Sequence, residues 1–550
     1  MSSYFTPNAT FSSLLKEGFR HYKGIHEAVM KNIDAIKDLA EMTRTSYGPN
    51  GMNKYIINMH DKLFLTKDAS VMTEQLDINH PAANIFVRAS KAQDEECGDA
   101  TNLVITYGGE LLSLAGEMIE GGIHLSDIIV GYEEAFKKTM ELFDTIPNVD
   151  KSDLKDIQSV TKLIEPVIKT KLVHEQEKIL APLIAEACID ALPENPKKFD
   201  VDNIRVAQIL GGSLLDSSLV HGLIEVRNVE GTITSVKNCK VAVYNCPLET
   251  QGSETSDEVV FKNADDLLNY TKGEEDHIEK IIKEIVDSGV KAVAVGGAIS
   301  NMAIHFLDKY GVLAFRIMSK FELRRVAKAV GATLLVRLGA PTPEEMGYAD
   351  EISVTEISST KCILIDNKKE NNKYATIVLR GSTEGMLQNL DRIIQDGVNL
   401  YKCMCCKNTI FGPGAGAIEM YLANEIKNYA KTIKTLDQYG IEKFGEAFEV
   451  VPRTILENSG YNVNEKLAAL RAKSIKDPKM GVCITDGEIK DAFEMNVLDH
   501  LETKKWAIRF AFDAVITILR VDQIIVAKPA GGPNLNKRPP ELGKDETDEF

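Results

Sequence analysis

Glu95-Glu96-Cys97-Gly98-Asp99-Ala100-Thr101-Asn102 separates two segments of helical pattern, 81–93 before it and 103–119 after it. A break carrying Gly, Asp, Thr and Asn between two helices supplies an N-cap. The same break suits an anion, because the free N–H groups of a helix start face outward and the dipole favours negative charge there. Asp99 would repel a bare phosphate, so a carboxylate beside phosphate implies Mg²⁺ between them. A plain helix cap with one Asp at a buried end explains the string as well, and short strings of this kind are common.

Two similar loops lie upstream. Leu14, Leu15, Ile25, Val29, Ile33, Ile36 and Leu39 recur at three- and four-residue spacings and predict one long helix. It runs into Tyr47-Gly48-Pro49-Asn50-Gly51, where two glycines and a proline force a tight loop that lets backbone approach a ligand. A strand pair follows over 54–58 and 63–66, turning near His60-Asp61. It ends in Thr66-Lys67-Asp68-Ala69-Ser70, a second Asp at a strand-to-helix junction. Any one loop is weak evidence; three in one helical unit favour a phosphate–metal site.

At 550 residues the chain exceeds one core, and roughly three or four domains are expected. Apolar and charged contents of 44% and 26% are those of soluble globular proteins. A net charge of −17 argues against general nucleic-acid binding. No apolar run reaches the roughly 18 residues of a membrane span, and no charged-then-apolar segment opens the sequence. Neither nucleic acid nor membrane is therefore expected as a partner. Nine cysteines without regular spacing read as reduced thiols of a cytoplasmic compartment.

Further along, a helix is expected over 126–142 and a polar boundary over 144–156. Two helical stretches, 154–168 and 174–192, flank Thr170-Lys171, which alone reads as solvated surface. Strand 204–210 leads to a second boundary at Gly211-Gly212. From 213 to 338 strands (240–244, 289–297, 312–317, 333–338) mix with helices (299–310, 320–330), an α/β pattern. Gly296-Gly297 lacks GxGxxG and an acidic partner, so no dinucleotide site is inferred. The acidic insert 246–273, helical over 264–270, reads as a solvated excursion. Residues 344–360 read as loop. Strands 362–366 and 376–380 are expected around the charged turn 367–372. Helix 384–401 carries Asp396, by itself a surface charge. Cys403, Cys405 and Cys406 lack the second ligand pair that zinc requires and read as unligated thiols. A Gly-rich turn, 411–417, enters a helix over 417–429 and is another backbone approach point. Helices 438–451, 451–457, 464–472 and 506–519 follow, with strands 481–486 and 521–527. Residues 1–12 are expected to be mobile, and the tail after Pro529 disordered.

The strings TRTSYGPNGMNK (43–54), TKDAS (66–70) and GDATN (98–102), in this order and spacing, resemble the ATP-site signatures of the group II chaperonins. That family holds the archaeal thermosome and the eukaryotic cytosolic TCP-1 ring complex. The resemblance covers nearly the whole chain. NHPAA (79–83), FDVDNIRV (199–206), KGEE (272–275) and VDQIIVAKPAGGP (521–533) are similar to its theta branch. The resemblance implies an α+β multidomain chaperonin fold. A helical equatorial ATP-binding domain would be built from 1–144 and 406–528, and a small intermediate domain from 145–212 and 367–405. An α/β apical substrate-binding domain would span 213–366 with a lid protrusion at about 246–273, and 529–550 would be a disordered tail.

It also implies a site. Asp99 would hold Mg²⁺. Tyr47, Gly48, Gly98, Ala100, Thr101, Asn102 and Gly414 would surround ATP or ADP, with Gly48, Gly98, Thr101 and Gly414 cradling phosphate. Asp68 and Asp396 would flank the attacking water. Thr170-Lys171 matches the family's Ser-Lys, whose Lys reports the γ-phosphate. Asp499 and Lys504 match the adenosine end. The implied partners are seven paralogous subunits in an eight-membered ring, two rings stacked, with unfolded clients such as actin and tubulin, in the cytoplasm. Three departures stand out: Ala100 for the second Gly of GDGT, Ala415 within PGGG, and Lys67 for Asn. Each alanine methyl narrows a site where backbone must come close, and costs roughly 1 kcal/mol or more if φ is positive. Lys67 could pair with phosphate or with Asp68. An ATP-hydrolysing subunit and a nucleotide-binding structural subunit with little hydrolysis both remain open.

Overall fold

Segment 101–120 is apolar on most sides, so it can be satisfied only at the centre of a bundle. The structure, a computed structural model, describes residues 20–23, 25–76, 78–172, 176–249, 264–367 and 374–526. Leu14, Leu15, the expected mobile arm, residues 250–263 of the insert, most of the turn over 367–372 and the tail after Pro529 lie outside them.

The chain opens with β1 (Arg20–Lys23), α1 (Ile25–Arg44), the hairpin β2 (Lys54–Ile57) and β3 (Leu63–Thr66), and α2 (Ala69–Gln75). Then come α3 (Pro81–Cys97), α4 (Thr101–Glu120), α5 (Leu125–Leu142) and β4 (Val149–Asp150). Leu103, Val104, Ile105, Tyr107, Leu111 and Leu112 of α4 are buried. Gly108 and Gly109 let neighbours press in: a Cβ there would stand 2.2 Å from the Phe86 ring and 2.4 Å from the Ala40 Cβ.

A second unit begins with α6 (Ile157–Lys169), α7 (Glu177–Asp190), β5 (Ile204–Leu210) and β6 (Ser218–His221). The distal unit follows: β7 (Leu223–Glu225), β8 (Ser235–Tyr244), α8 (Ala264–Asp287), β9 (Val290–Val295), α9 (Asn301–Tyr310) and β10 (Leu313–Arg316). It ends with α10 (Lys320–Val330), β11 (Leu334–Leu335), β12 (Gly347–Ile357) and β13 (Thr360–Asp366). Its sheet runs β10-β9-β8-β12-β13-β7, with β11 beside β8. Pairing is parallel from β10 to β8 and antiparallel beyond. Alternate residues of β8 serve opposite faces: Val241 and Val243 enter the core with α10, and Ala242 and Tyr244 the core with α8 and α9.

The chain then returns. β14 (Ala375–Gly381) lies between β5 and β6, and α11 (Glu384–Cys406) packs with α6 and α7 through Leu387, Leu390, Ile393, Ile394 and Val398. The base is completed by β15 (Ile410–Pro413), α12 (Ala417–Ala430), α13 (Asp437–Ala447), α14 (Val450–Asn458) and α15 (Val463–Ser474). Last come β16 (Met480–Val482), β17 (Ile489–Asp491), β18 (Leu498–His500), α16 (Leu501–Leu519) and β19 (Gln523–Val526). The first and last parts share one core, in which Tyr107 stacks on Phe448 at 4.5 Å between ring centres.

Several expectations are corrected. Residues 344–360 are not loop: β12 sits between β8 and β13, and Asp350, Glu351 and Glu356 obscure its alternation. The strands over 362–366 and 376–380 exist but form no hairpin, because β13 joins the distal sheet and β14 the middle one. Part of the expected first helix is strand β1, paired antiparallel with β19. The helix of the insert continues to Asp287, α11 runs on through its cysteines to Cys406, and strand 333–338 shrinks to two residues.

Candidate active site

Gly98 ends α3 in the left-handed region at φ 69°, and its N–H returns to the carbonyls of Gln93 and Asp94. A Cβ at that position would lie 2.2 Å from Asn399 Nδ2 of α11, so only glycine lets this loop meet that helix. Ala100 follows at φ 65°, and Ala415 stands at φ 56°. Both alanines therefore occupy the strained region that the sequence made conditional. The helix starts that follow, at Thr101 and Ala417, have no side-chain cap, which suits an incoming anion.

Asp68 stands at the strand-to-helix turn, its carboxylate bonded to no N–H of α2 and accepting instead a very short hydrogen bond from the Thr101 hydroxyl. Asn102 staples that turn from behind. Its Oδ1 accepts from the Ala69 N–H at 2.6 Å, and its Nδ2 donates to the Lys67 carbonyl at 3.1 Å. Lys67 does not turn to Asp68. Its ammonium reaches the carbonyls of Pro49 and Thr170, each at 3.4 Å, and burial lowers its pKa. The Thr170 hydroxyl bonds back to the Val167 carbonyl at 2.7 Å.

Lys171 joins the two units. Its Nζ lies 2.7 Å from Asp396 Oδ2 and 3.3 Å from Asp99 Oδ1. Burial pushes the ammonium down, but Asp396, Asp99 and Asp68 outweigh it, so the net shift is upward. Burial raises the Asp396 carboxyl well above the usual range; Lys171 opposes this, and Asp68 and Asp99 add to it. Asp94 is raised to about 6, by burial first and then by Asp68. At the other end Lys504 Nζ lies 2.6 Å from Asp499 and 2.5 Å from Glu419. Gly414 packs beside Asp499, where a Cβ would lie 3.1 Å from the Asp499 Cγ. Burial raises the Tyr47 phenol, and Lys504, Glu419, Asp499 and Asp99 all act on it. The Tyr47 carbonyl is held by Asn458 Nδ2 at 2.8 Å.

The predicted residues near 48, 68, 99, 171 and 396 thus lie in one chain of contacts, while Asp499 and Lys504, with Gly414 packed on Asp499, form a second group whose charges act on Tyr47. Sequence reasoning missed Asp94, Gln93, Asn399 and Glu419. Gln93 Nε2 anchors the Asp99 carbonyl at 2.8 Å. Of these four, only Glu419 carried a local signal, as an acid in the first turn after a Gly-rich loop.

Lys171 faces Asp68, Asp94, Asp99 and Asp396, an acidic excess that fits a divalent cation. Among the described residues no three His, Cys, Asp or Glu side chains gather closely enough to hold an ion alone. Mg²⁺ takes one or two carboxylates and completes its shell with phosphate and water, a part Asp99 could fill. A polar cavity of about 210 Å³, lined by Arg205, Glu225, Arg227, Glu322 and Asp391, lies apart from this cluster.

Among the described residues no helix is long and apolar enough to cross a membrane. The sequence model of the TCP-1/cpn60 chaperonin family matches residues 39–529. T-complex protein 1 subunit theta of Homo sapiens is 43% identical over 542 residues, covering 98% of each chain. The proteins of that name from Arabidopsis thaliana and Dictyostelium discoideum are 44% and 42% identical, over 95% of both chains and over 98% and 99% respectively. A family match across most of the chain, with relatives this similar along their whole length, leaves one conclusion: the chain belongs to the TCP-1/cpn60 chaperonin family.

Proposed function

We propose that this chain is an ATP-hydrolysing subunit of a hetero-oligomeric ring chaperonin, in the place held by the theta subunit. The observation that carries the reading is the bridge Asp99–Lys171–Asp396, which links the Gly98 loop to a helix of a different unit. When nucleotide binds, the terminal phosphate competes with both carboxylates for the Lys171 ammonium. Asp396 is thereby freed to orient the attacking water and accept its proton. A buried carboxyl with a raised pKa suits that work better than an exposed one. Asp68, steadied by Thr101 and Asn102, holds the other side of the water. Gly98, Gly48, Thr101 and Gly414 cradle the phosphates, and Asp499, Lys504 and Tyr47 close the nucleoside end. Mg²⁺ on Asp99 would neutralise the charge that builds on the phosphates. Motion of the middle unit relative to the base converts nucleotide occupancy into a change of shape. The remaining proposals are seven paralogous partners per eight-membered ring, two stacked rings, unfolded clients such as actin and tubulin, and a cytoplasmic setting.

A second reading, tight binding with little turnover, is favoured by the positive φ of Ala100 and Ala415. Phosphate release tests both, in assembled rings whose other subunits have lost their catalytic carboxylates. Asp396→Ala is expected to lower this chain's rate about 10²- to 10⁴-fold with nucleotide still bound. An unchanged rate removes Asp396 from the mechanism. A wild-type rate equal to that of the fastest neighbouring subunit, measured in a ring where only that neighbour keeps its carboxylate, removes the second reading.

A further inference from the structure

The cysteines of α11 meet three different sets of neighbours. Cys406 Sγ donates to the Lys197 carbonyl at 3.8 Å, and Cys405 interacts with Tyr401 and Cys406. Cys403 faces the base, donating to the Cys97 carbonyl at 3.7 Å and the Glu96 carbonyl at 4.0 Å. Cys403 Sγ thus rests against the backbone of Cys97, and the two thiol side chains act on each other electrostatically. Lys407 Nζ stands 3.4 Å from the Cys97 sulfur, held there by Glu96 at 2.7 Å and by the face of Trp506 at 5.0 Å. A sulfur lying 3.7 Å from the carbonyl of the other cysteine places the two residues side by side, the neighbourhood an S–S bond of roughly 2.0 Å requires. Both side chains are buried, at 1% and 2% exposure, which limits the oxidant to a small neutral molecule.

We propose that Cys97 and Cys403 form a reversible disulfide, a peroxide-sensitive modification site at the junction of α3 and α11. The Cys97 sulfur attacks one oxygen of hydrogen peroxide, the O–O bond breaks, and the thiol proton leaves with the departing hydroxide as water. The Cys403 sulfur then attacks the sulfenic sulfur. An S–S bond forms, the S–OH bond breaks, and the second thiol proton leaves in a second water. Two thiols lose two electrons and one peroxide becomes two waters. Cys97 directly precedes Gly98-Asp99, and Cys403 follows Asp396 by seven residues, about two helical turns, on the same face. The bond ties the Asp99 loop to the helix carrying Asp396. This consequence rests on the function proposed above, whereas the bond itself does not.

The assembled ring containing the full chain is treated with hydrogen peroxide, free thiols are blocked with N-ethylmaleimide, and unreduced peptides are read by mass spectrometry. The expected product is one cross-linked pair joining Cys97 to Cys403. Dithiothreitol should remove it, Cys403→Ser should prevent it, and Cys405→Ser should leave it intact. In rings whose other subunits have lost their catalytic carboxylates, phosphate release should fall at least fivefold on oxidation, recover on reduction, and resist peroxide in Cys403→Ser. Both thiols found alkylated and unlinked, Cys97 joined elsewhere, or Cys97 carried on to sulfinic acid overturns the pair. A linked pair with unchanged phosphate release overturns the lock. A ring whose wild-type chain hydrolyses nothing before oxidation overturns the proposed function instead, and the peptides still decide the pair.

Discussion

At single residues the site stores cost. Ala100 and Ala415 hold φ values of 65° and 56°, where an L side chain is strained by about 1–2 kcal/mol. Ala100→Gly should relieve this and stabilise the chain by about 1 kcal/mol, less the entropy glycine adds to the unfolded state; a urea midpoint that falls instead rejects strain at that position. Asp94 makes a pH-dependent contribution. Burial and Asp68 raise its carboxyl from 3.8 to about 6, so the folded chain keeps this proton where the unfolded chain has lost it. Its contribution to stability therefore declines as pH rises from 3.8 to about 6 and is constant above. The stability gained by Asp94→Asn should be small at the acid end of that window, grow across it to on the order of 2–3 kcal/mol, and then level off. A gain independent of pH, read from melting temperatures, contradicts the assignment. The alanine substitutions were legible in the sequence because glycine-rich loops have local chemistry. Asp94 was not, because its position on α3 acquires meaning only when Asp68 is folded against it.

At the scale of elements, the end of α3 and the middle of α11 meet through an absent side chain. Gly98→Ala would add a Cβ 2.2 Å from Asn399 Nδ2 at a φ of 69°. Left-handed strain and overpacking together predict a loss of about 2–4 kcal/mol. Denaturation should show it, while Gly122→Ala, in open space at φ 89°, should show the strain alone. Helices with a clear apolar stripe, such as α5 and α11, could be read from spacing. Strand β12 could not, since charged residues occupy part of its exposed face and its identity comes from β8 and β13 on either side. β1 is a further case: its partner β19 lies about five hundred residues away, so nothing local distinguishes it from the helix that follows.

Across the whole molecule, Lys171 is the cation that holds the base and the middle unit at one point. Lys171→Ala leaves Asp99 and Asp396 facing each other without a counter-ion, a loss on the order of 3 kcal/mol. Hydrogen exchange should accelerate in α6 and α11 and hardly change in α8 to α10; uniform acceleration would mean global destabilisation rather than release of one joint. By itself the sequence determined the family resemblance, the loops at 47–51, 66–70 and 98–102, and the alternation of helical and α/β segments. These are properties of neighbouring residues, written in glycine placement and in the period of apolar side chains. Only the tertiary structure decided that Lys171 stands between Asp99 and Asp396, that Lys67 turns to two carbonyls rather than to Asp68, and that Cys403 meets Cys97. Those pairings join residues separated by about twenty to three hundred positions. Distance along a chain carries no trace of which side chains packing will bring into contact.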